Sequence, residues 1–172
     1  LNDARVRRAL SLALDREGIV RKFLGDGYRP AYTLTPGTLT DYTPPKPAWS
    51  GQAMSARVAE AKKLMAAAGY GPSKPLKFDL RYESQEENRR IVVAMAAMWR
   101  AIGAQANPVN TDLNALNRDT RTGNFQMVRY TWFAPNDDPY TFLGLLETGN
   151  TGNYSKYSNP RYDTALRAAN AL

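Results

Sequence analysis

At 172 residues, with 43% hydrophobic and 23% charged positions, the chain is long enough to bury a core and too apolar to be an intrinsically disordered segment. Its net charge of +7 would draw anionic partners, yet the cations alternate with acids or apolar residues in stretches such as RVRR and ENRR and never run to five in a row, which describes a solvated basic surface better than a nucleic-acid footprint. The absence of histidine and cysteine excludes Ser-His-Asp and Cys-His nucleophiles, disulfides and the commonest zinc ligands together.

Asn2 or Asp3 can cap a first helix whose Val6, Leu10, Ala13 and Leu14 share one face. Asp15 can cap a short second helix carrying Ile19, Val20, Phe23 and Leu24, which Gly25 or Gly27 ends. Residues 28–51 carry five prolines and no sustained period, so a long surface loop is expected there. A third helix sets Val58, Ala61, Leu64, Met65 and Ala68 on one stripe, with Gly69 at its C-terminal end.

From Leu76 to Tyr82, apolar residues alternate with Lys77, Asp79 and Arg81, the pattern of a strand with one covered face. A helix from Glu87 to Ile102, closed by Gly103, leads to a second strand over Ala104 to Val109, parallel to the first. A short helix over Leu113 to Thr122 and a third strand over Phe125 to Thr131 complete a β-α-β-α-β run. That order implies an α/β fold in which helices flank a small, mostly parallel sheet and ligands gather at the carboxyl ends of the strands. Both chain ends are in mid-helix pattern, as expected of one lobe (residues 1–172) cut from a longer polypeptide, so that any export signal lies outside it. No apolar run approaches the ~20 residues that span a bilayer.

The stretch RYTWFAPNDDPYTFLGLL, Arg129 to Leu146, follows the third strand. Tyr130, Trp132 and Phe133 can form flat apolar walls, Arg129 can grip a carboxylate, and Asp137 and Asp138 can accept hydrogen bonds from an ammonium group. The other strand ends supply Tyr82 and Ser84, and Asn110 and Asp112; all of these are expected to converge with the Arg129 to Asp137 loop on one open face. Each residue also has a plainer use: Trp132 can plug the core, Arg129 can face solvent, and Asp138 before Pro139 suits the cap of a helix PYTFLGLL, whereas Asp137 has no such structural duty.

Adjacent acids point apart in most conformations, so no catalytic residue is assigned; the alternative is a fragment of a hydrolase using Asp137 and Asp138 with residues outside this chain. Asn136, Asp137 and Asp138 lack the spacing of a calcium loop and no metal site is expected. Neither G-x-x-x-x-G-K-[ST] nor G-x-G-x-x-G occurs, and no cofactor is expected.

The order of DARVRRALSLALDREGIV, GDGYRPAYTLTPGT, AEAKKLMAAAGY, ENRRIVVAMAAMWRAIGAQ, GNFQMVRYTWFAPNDDPYTFL and YSNPRYDTALRAA resembles the C-terminal lobe of bacterial oligopeptide- and dipeptide-binding proteins, the extracellular solute-binding proteins of peptide ABC importers. Essentially the whole chain takes part. The resemblance implies a type II periplasmic-binding-protein lobe that closes with a missing partner lobe of the same polypeptide around a peptide or peptide-like solute. It further implies delivery to an ABC permease, a periplasmic or extracellular membrane-anchored location, no enzymatic activity and no nucleic-acid partner. Ligand-binding residues are then Arg129, Tyr130, Trp132, Phe133, Asn136, Asp137, Tyr82 and Ser84. In such proteins the loop often reads W-x-x-D-Y and its acid binds the peptide amine; here Pro135 stands third after Trp132. Either Asp137 takes the amine from a shifted loop, or the ligand is not held by a free amine.

Overall fold

The structure, a computed structural model, describes residues 1–171. Its elements are α1 (Ala4–Leu12), α2 (Arg16–Ile19), a π-helical turn (Val20–Leu24), α3 (Met54–Ala67), β1 (Leu76–Glu83), α4 (Glu86–Arg100), β2 (Ala104–Thr111), α5 (Leu113–Thr122), β3 (Met127–Val128), α6 (Tyr140–Leu143), a 3-10 turn (Gly144–Leu146) and α7 (Pro160–Ala169). The chain divides into two compact units: Leu1–Pro30, Ala48–Leu116 and Phe125–Tyr130 form the first, and Ala31–Pro47, Asn117–Asn124 and the segment from Thr131 onward form the second.

The first unit is built on a three-stranded parallel sheet of order β2-β1-β3. The central strand buries Phe78, Leu80 and Tyr82 on one face, as its alternation requires, against Val92, Ala96 and Trp99 of α4 and the apolar stripes of α1 and α3. Trp99 is 2% exposed, its ring lies 5.7 Å from that of Phe78, and its indole N–H donates to the Leu10 carbonyl at 2.8 Å, so its one polar atom is satisfied inside the core. Asp3, not Asn2, caps α1 by accepting the Arg5 N–H at 2.8 Å, and Asp15 caps α2 through Gly18. The second helix is α-helical for its first turn alone, then widens into a π turn closed by the Gly25 N–H on the Val20 carbonyl.

A buried arginine completes this core. Arg57, 2% exposed, donates from Nε to the Leu12 carbonyl at 3.1 Å, one that the end of α1 leaves without a helical partner, and from its terminal nitrogen to the carbonyl of Leu14, just past that end. Its guanidinium carbon and that of Arg16 lie 5.4 and 5.3 Å from the Trp49 ring centre.

The third strand is shorter than its sequence implies, two residues in place of Phe125 to Thr131. The Gln126 side chain explains the late start: its amide oxygen accepts the Asp79 N–H at 2.7 Å, occupying the donor that a longer backbone ladder would need. Pro108, paired with Leu80 in β2, lacks a ladder donor but sits on an edge strand, where the loss is tolerated.

The second unit contains no strand among its described residues. Asn159 caps α7 by accepting the N–H groups of Arg161 and Tyr162, with Pro160 at the first helical position. The Asp163 carboxylate accepts the Thr148 N–H at 3.0 Å, which holds its pKa below the usual carboxylate value, and the Tyr162 hydroxyl donates to the Leu143 carbonyl at 2.7 Å. Residues 28–51 carry no helix or strand.

Candidate functional site

Because the three strands are parallel, their carboxyl ends share one edge of the first unit. Glu83 pairs with Thr111 and Arg81 with Val128, so Ser84, Asp112 and Arg129 leave the sheet together. Ser84 is tied down twice, its N–H on the Thr111 carbonyl at 2.9 Å and its hydroxyl in a close hydrogen bond with the Asn110 side chain, and both residues are exposed. The Arg129 N–H donates to the Arg81 carbonyl at 2.8 Å, carrying the ladder one step beyond β3. Asp112 belongs to this edge too, but its carboxylate accepts the Ala115 N–H at 3.0 Å and so starts α5. Tyr82 departs from the expectation of an open face: it is 5% exposed and packed in the core, because the alternation that buries Phe78 and Leu80 turns position 82 inward too.

Trp132, Phe133, Asn136 and Asp137 belong to the second unit and are exposed there, Trp132 by 43% and Phe133 by 84%. Trp132 and Pro135 line an open cavity of about 800 Å³ with Arg121, Tyr140, Thr141, Tyr154 and Lys156 among its walls. Phe133, Asn136 and Asp137 do not line it.

The expectation that Asp137 has no structural duty is overturned. Its two carboxylate oxygens accept the Thr40 N–H at 3.2 and 3.1 Å, and the Thr40 hydroxyl makes a close hydrogen bond to one of them, so Asp137 ties down the 31–47 segment within its unit. Asp138 accepts the Tyr140 N–H at 2.7 Å and its carbonyl accepts the Thr141 N–H, so it starts α6. Two acids engaged with separate backbone groups do not face each other across a substrate, which removes the ground for a carboxylate-pair hydrolase. Among the described residues no group of three carboxylates gathers as a metal would require.

The far wall of the cavity was not legible as a site. Asn153, 3% exposed, organises it: its amide donates to the Glu147 and Tyr157 carbonyls at 3.1 and 2.7 Å, and its oxygen accepts from the Ser155 hydroxyl and the Tyr157 N–H. The Lys156 N–H in turn donates to the Asn153 carbonyl at 3.1 Å, with Lys156 in the left-handed region at φ 55°. Tyr140 is fixed by its hydroxyl, which donates to Glu147 at 3.1 Å; that hydrogen bond, and after it the carboxylate's negative charge, pushes the phenol pKa up. The one available signal was the run NTGNYSKYSN, rich in turn formers with two tyrosines and a lysine, and it carries no helical or strand period that would have placed it against Trp132.

A sequence model of the family described as bacterial extracellular solute-binding proteins, family 5 Middle, matches residues 1–154. The chain belongs to this family. It is 38% identical over 168 residues to the periplasmic murein peptide-binding protein MppA of Escherichia coli, covering 97% of this chain and 31% of that protein. It is 35% identical over 166 residues to the periplasmic oligopeptide-binding protein OppA of Salmonella typhimurium, covering 96% and 31%. The crystal structure of Haemophilus influenzae OppA in complex with the peptide RPPGFSPFR superposes with a TM-score of 0.95 at 32% identity, over 99% of this chain and 34% of that one. The fold of this family 5 chain is thus that of the type II periplasmic binding proteins, and the chain spans about a third of the length of these relatives. The matched relatives are binding proteins rather than enzymes, and they are named as periplasmic.

Proposed function

We propose that this chain is the ligand-contacting part of one lobe of a solute-binding protein that captures a peptide or peptide-like solute and delivers it to an ABC permease. In this reading the partner lobe lies elsewhere in the same polypeptide, and the protein works in the periplasm or tethered outside the membrane. The observation that carries the proposal is the open cavity walled by Trp132, of a size that suits a small ligand and of mixed aromatic and polar lining. Family membership and the likeness to a peptide complex support it. Trp132 is assigned to stack on the ligand; Phe133, 84% exposed, and Asn136 are assigned to the surface that ligand or partner lobe covers; Ser84, Arg129 and Tyr130 are assigned to polar contacts from the sheet edge. Asp137 serves this surface by shaping its loop.

Native mass spectrometry of the full-length protein purified from its host tests the reading, with a retained mass of peptide-like composition as the expected result. Calorimetry then follows: Trp132→Ala is expected to weaken binding of the retained solute by about 10-fold or more, the loss typical of a central aromatic anchor. Unchanged affinity in that variant, or turnover of the solute, would refute the proposal. The 172 residues alone are expected to bind orders of magnitude more weakly than the whole protein, because a closed cleft buries a ligand from both sides.

A further inference from the structure

We propose that the Asp26-Gly27 peptide is a self-modification site, where the main chain closes on the aspartate side chain to a succinimide and reopens as isoaspartate. The pair follows the π-helical turn and enters the 28–51 loop, just before the boundary of the first unit at Pro30. It is the only Asp-Gly pair in the chain, and no asparagine precedes a glycine.

The reaction needs an amide nitrogen with nothing in its way and an acid that no other group holds. Gly25, Asp26, Gly27 and Tyr28 are all exposed. Neither the Asp26 carboxyl nor the Gly27 N–H has a hydrogen-bond partner among the described residues. Gly25 and Gly27 have φ of 72° and 94°, and a Cβ at either would meet no atom within 4 Å. Open space therefore surrounds the peptide that must rotate toward the side chain, and the nitrogen at 27 is not shielded by a side chain of its own residue.

The step balances with water alone. The Gly27 nitrogen attacks Cγ of the protonated Asp26 carboxyl; a C–N bond forms, and the carboxyl hydroxyl leaves as water with the amide proton. Water then adds to one of the two imide carbonyls. Opening at Cγ restores aspartate. Opening at the α-carbonyl leaves Gly27 joined through Cγ, which lengthens the main chain by one methylene and frees an α-carboxylate, a covalent change of backbone and charge position with no change of mass.

The other aspartates are held back by their surroundings. Asp3, Asp15, Asp112, Asp137 and Asp163 spend carboxylate oxygens on backbone N–H groups. Asp138 does the same and precedes Pro139, which has no N–H to attack with. Asp79 and Asp119 accept side-chain amides from within a strand and a helix. Asp41 is exposed with no printed duty for its carboxylate, but Tyr42 follows it, and a bulky ring crowds the attacking nitrogen; Asp41 is thus the internal control.

The test holds the full-length folded protein at physiological temperature and neutral pH, digests samples over time and maps the peptides by liquid chromatography and mass spectrometry. The expected result is an isomer of unchanged mass accumulating at Asp26, accompanied by a species lighter by one water, with none at Asp41. Its rate is expected to lie within about 10-fold of that in a synthetic peptide of residues 20–30, a barrier difference below ~1.4 kcal/mol. Asp26→Glu, whose closure needs a six-membered ring, is expected to lose the signal without moving the thermal midpoint, since the side chain is exposed. A folded-state rate slower than that range means that the turn protects the peptide bond and overturns the proposal. Equal accumulation at Asp41, or a signal that survives in Asp26→Glu, overturns it as well. The comparison of protein with peptide needs no substitution, so it decides by itself.

Discussion

Asn153→Ala probes whether the cavity wall is held by one side chain. Asn153 makes four hydrogen bonds at 3.1, 2.7, 2.8 and 3.1 Å while 3% exposed, so water cannot readily replace them in the folded state. At about 1 kcal/mol net per bond the loss sums to roughly 4 kcal/mol of local stability. The most direct readout is amide hydrogen exchange at Tyr157, whose N–H is taken by Asn153 Oδ1. With each ~1.4 kcal/mol worth a factor of ten, exchange there is expected to accelerate by on the order of 10²–10³ if opening is local. Asn150→Ala is the internal control: Asn150 holds the single Gly152 N–H at 2.8 Å, so its removal is worth about 1 kcal/mol and a several-fold acceleration. Equal Tyr157 exchange in the two variants would refute the assignment of Asn153 as the centre of this wall.

Gly103→Ala is expected to destabilise the first unit far more than Gly69→Ala. Both glycines have positive φ, 79° and 84°, but a Cβ at 103 would meet the Gly71 backbone at 2.9 Å whereas one at 69 meets nothing. Left-handed strain costs about 1–2 kcal/mol at each and forced overpacking a further ~1–3 at 103, so thermal unfolding should separate the two variants by several degrees; coincident midpoints would count against the close approach. Asp137→Ala is expected to speed amide exchange at Thr40 by about 10-fold or more as two N–H contacts and a hydroxyl bond vanish, and no change there would mean the contact does not hold the 31–47 segment. Asp3, whose carboxyl is held down to about 2 by the Arg5 side chain and N–H, contributes stability that is complete above the ordinary carboxylate value of 3.8 and is lost as pH falls through about 2. Arg5→Gln should raise the Asp3 midpoint in a carbon-detected NMR titration; an unmoved midpoint would exclude the guanidinium as the cause.

Much of the fold is written locally. Asp3 and Asp15 cap helices because a short acid can reach the first free N–H groups, and Gly25, Gly69, Gly103 and Gly123 end elements at positive φ because they carry no Cβ. The alternation from Leu76 to Tyr82 and the periods of α3 and α4 depend on nothing beyond the pleat and the helical repeat. The β-α-β-α-β order then required parallel strands with a common carboxyl edge, and with it the shared departure of Ser84, Asp112 and Arg129.

What pattern alone did not contain was the pairing of side chains far apart in sequence. Gln126 cuts β3 short by bonding Asp79, Arg57 closes α1 from α3, and Asp137 is claimed by Thr40, 97 residues away. Tyr82 has the composition of a ligand contact and the position of a core residue, and its face of the strand decided between them. The same holds for Arg121 and Lys156. As letters they are two of 23 cations on a basic surface. Tertiary structure made them walls of the Trp132 cavity by folding an aperiodic loop around Asn153, and a hydrogen-bond hub of that kind has no period to announce it.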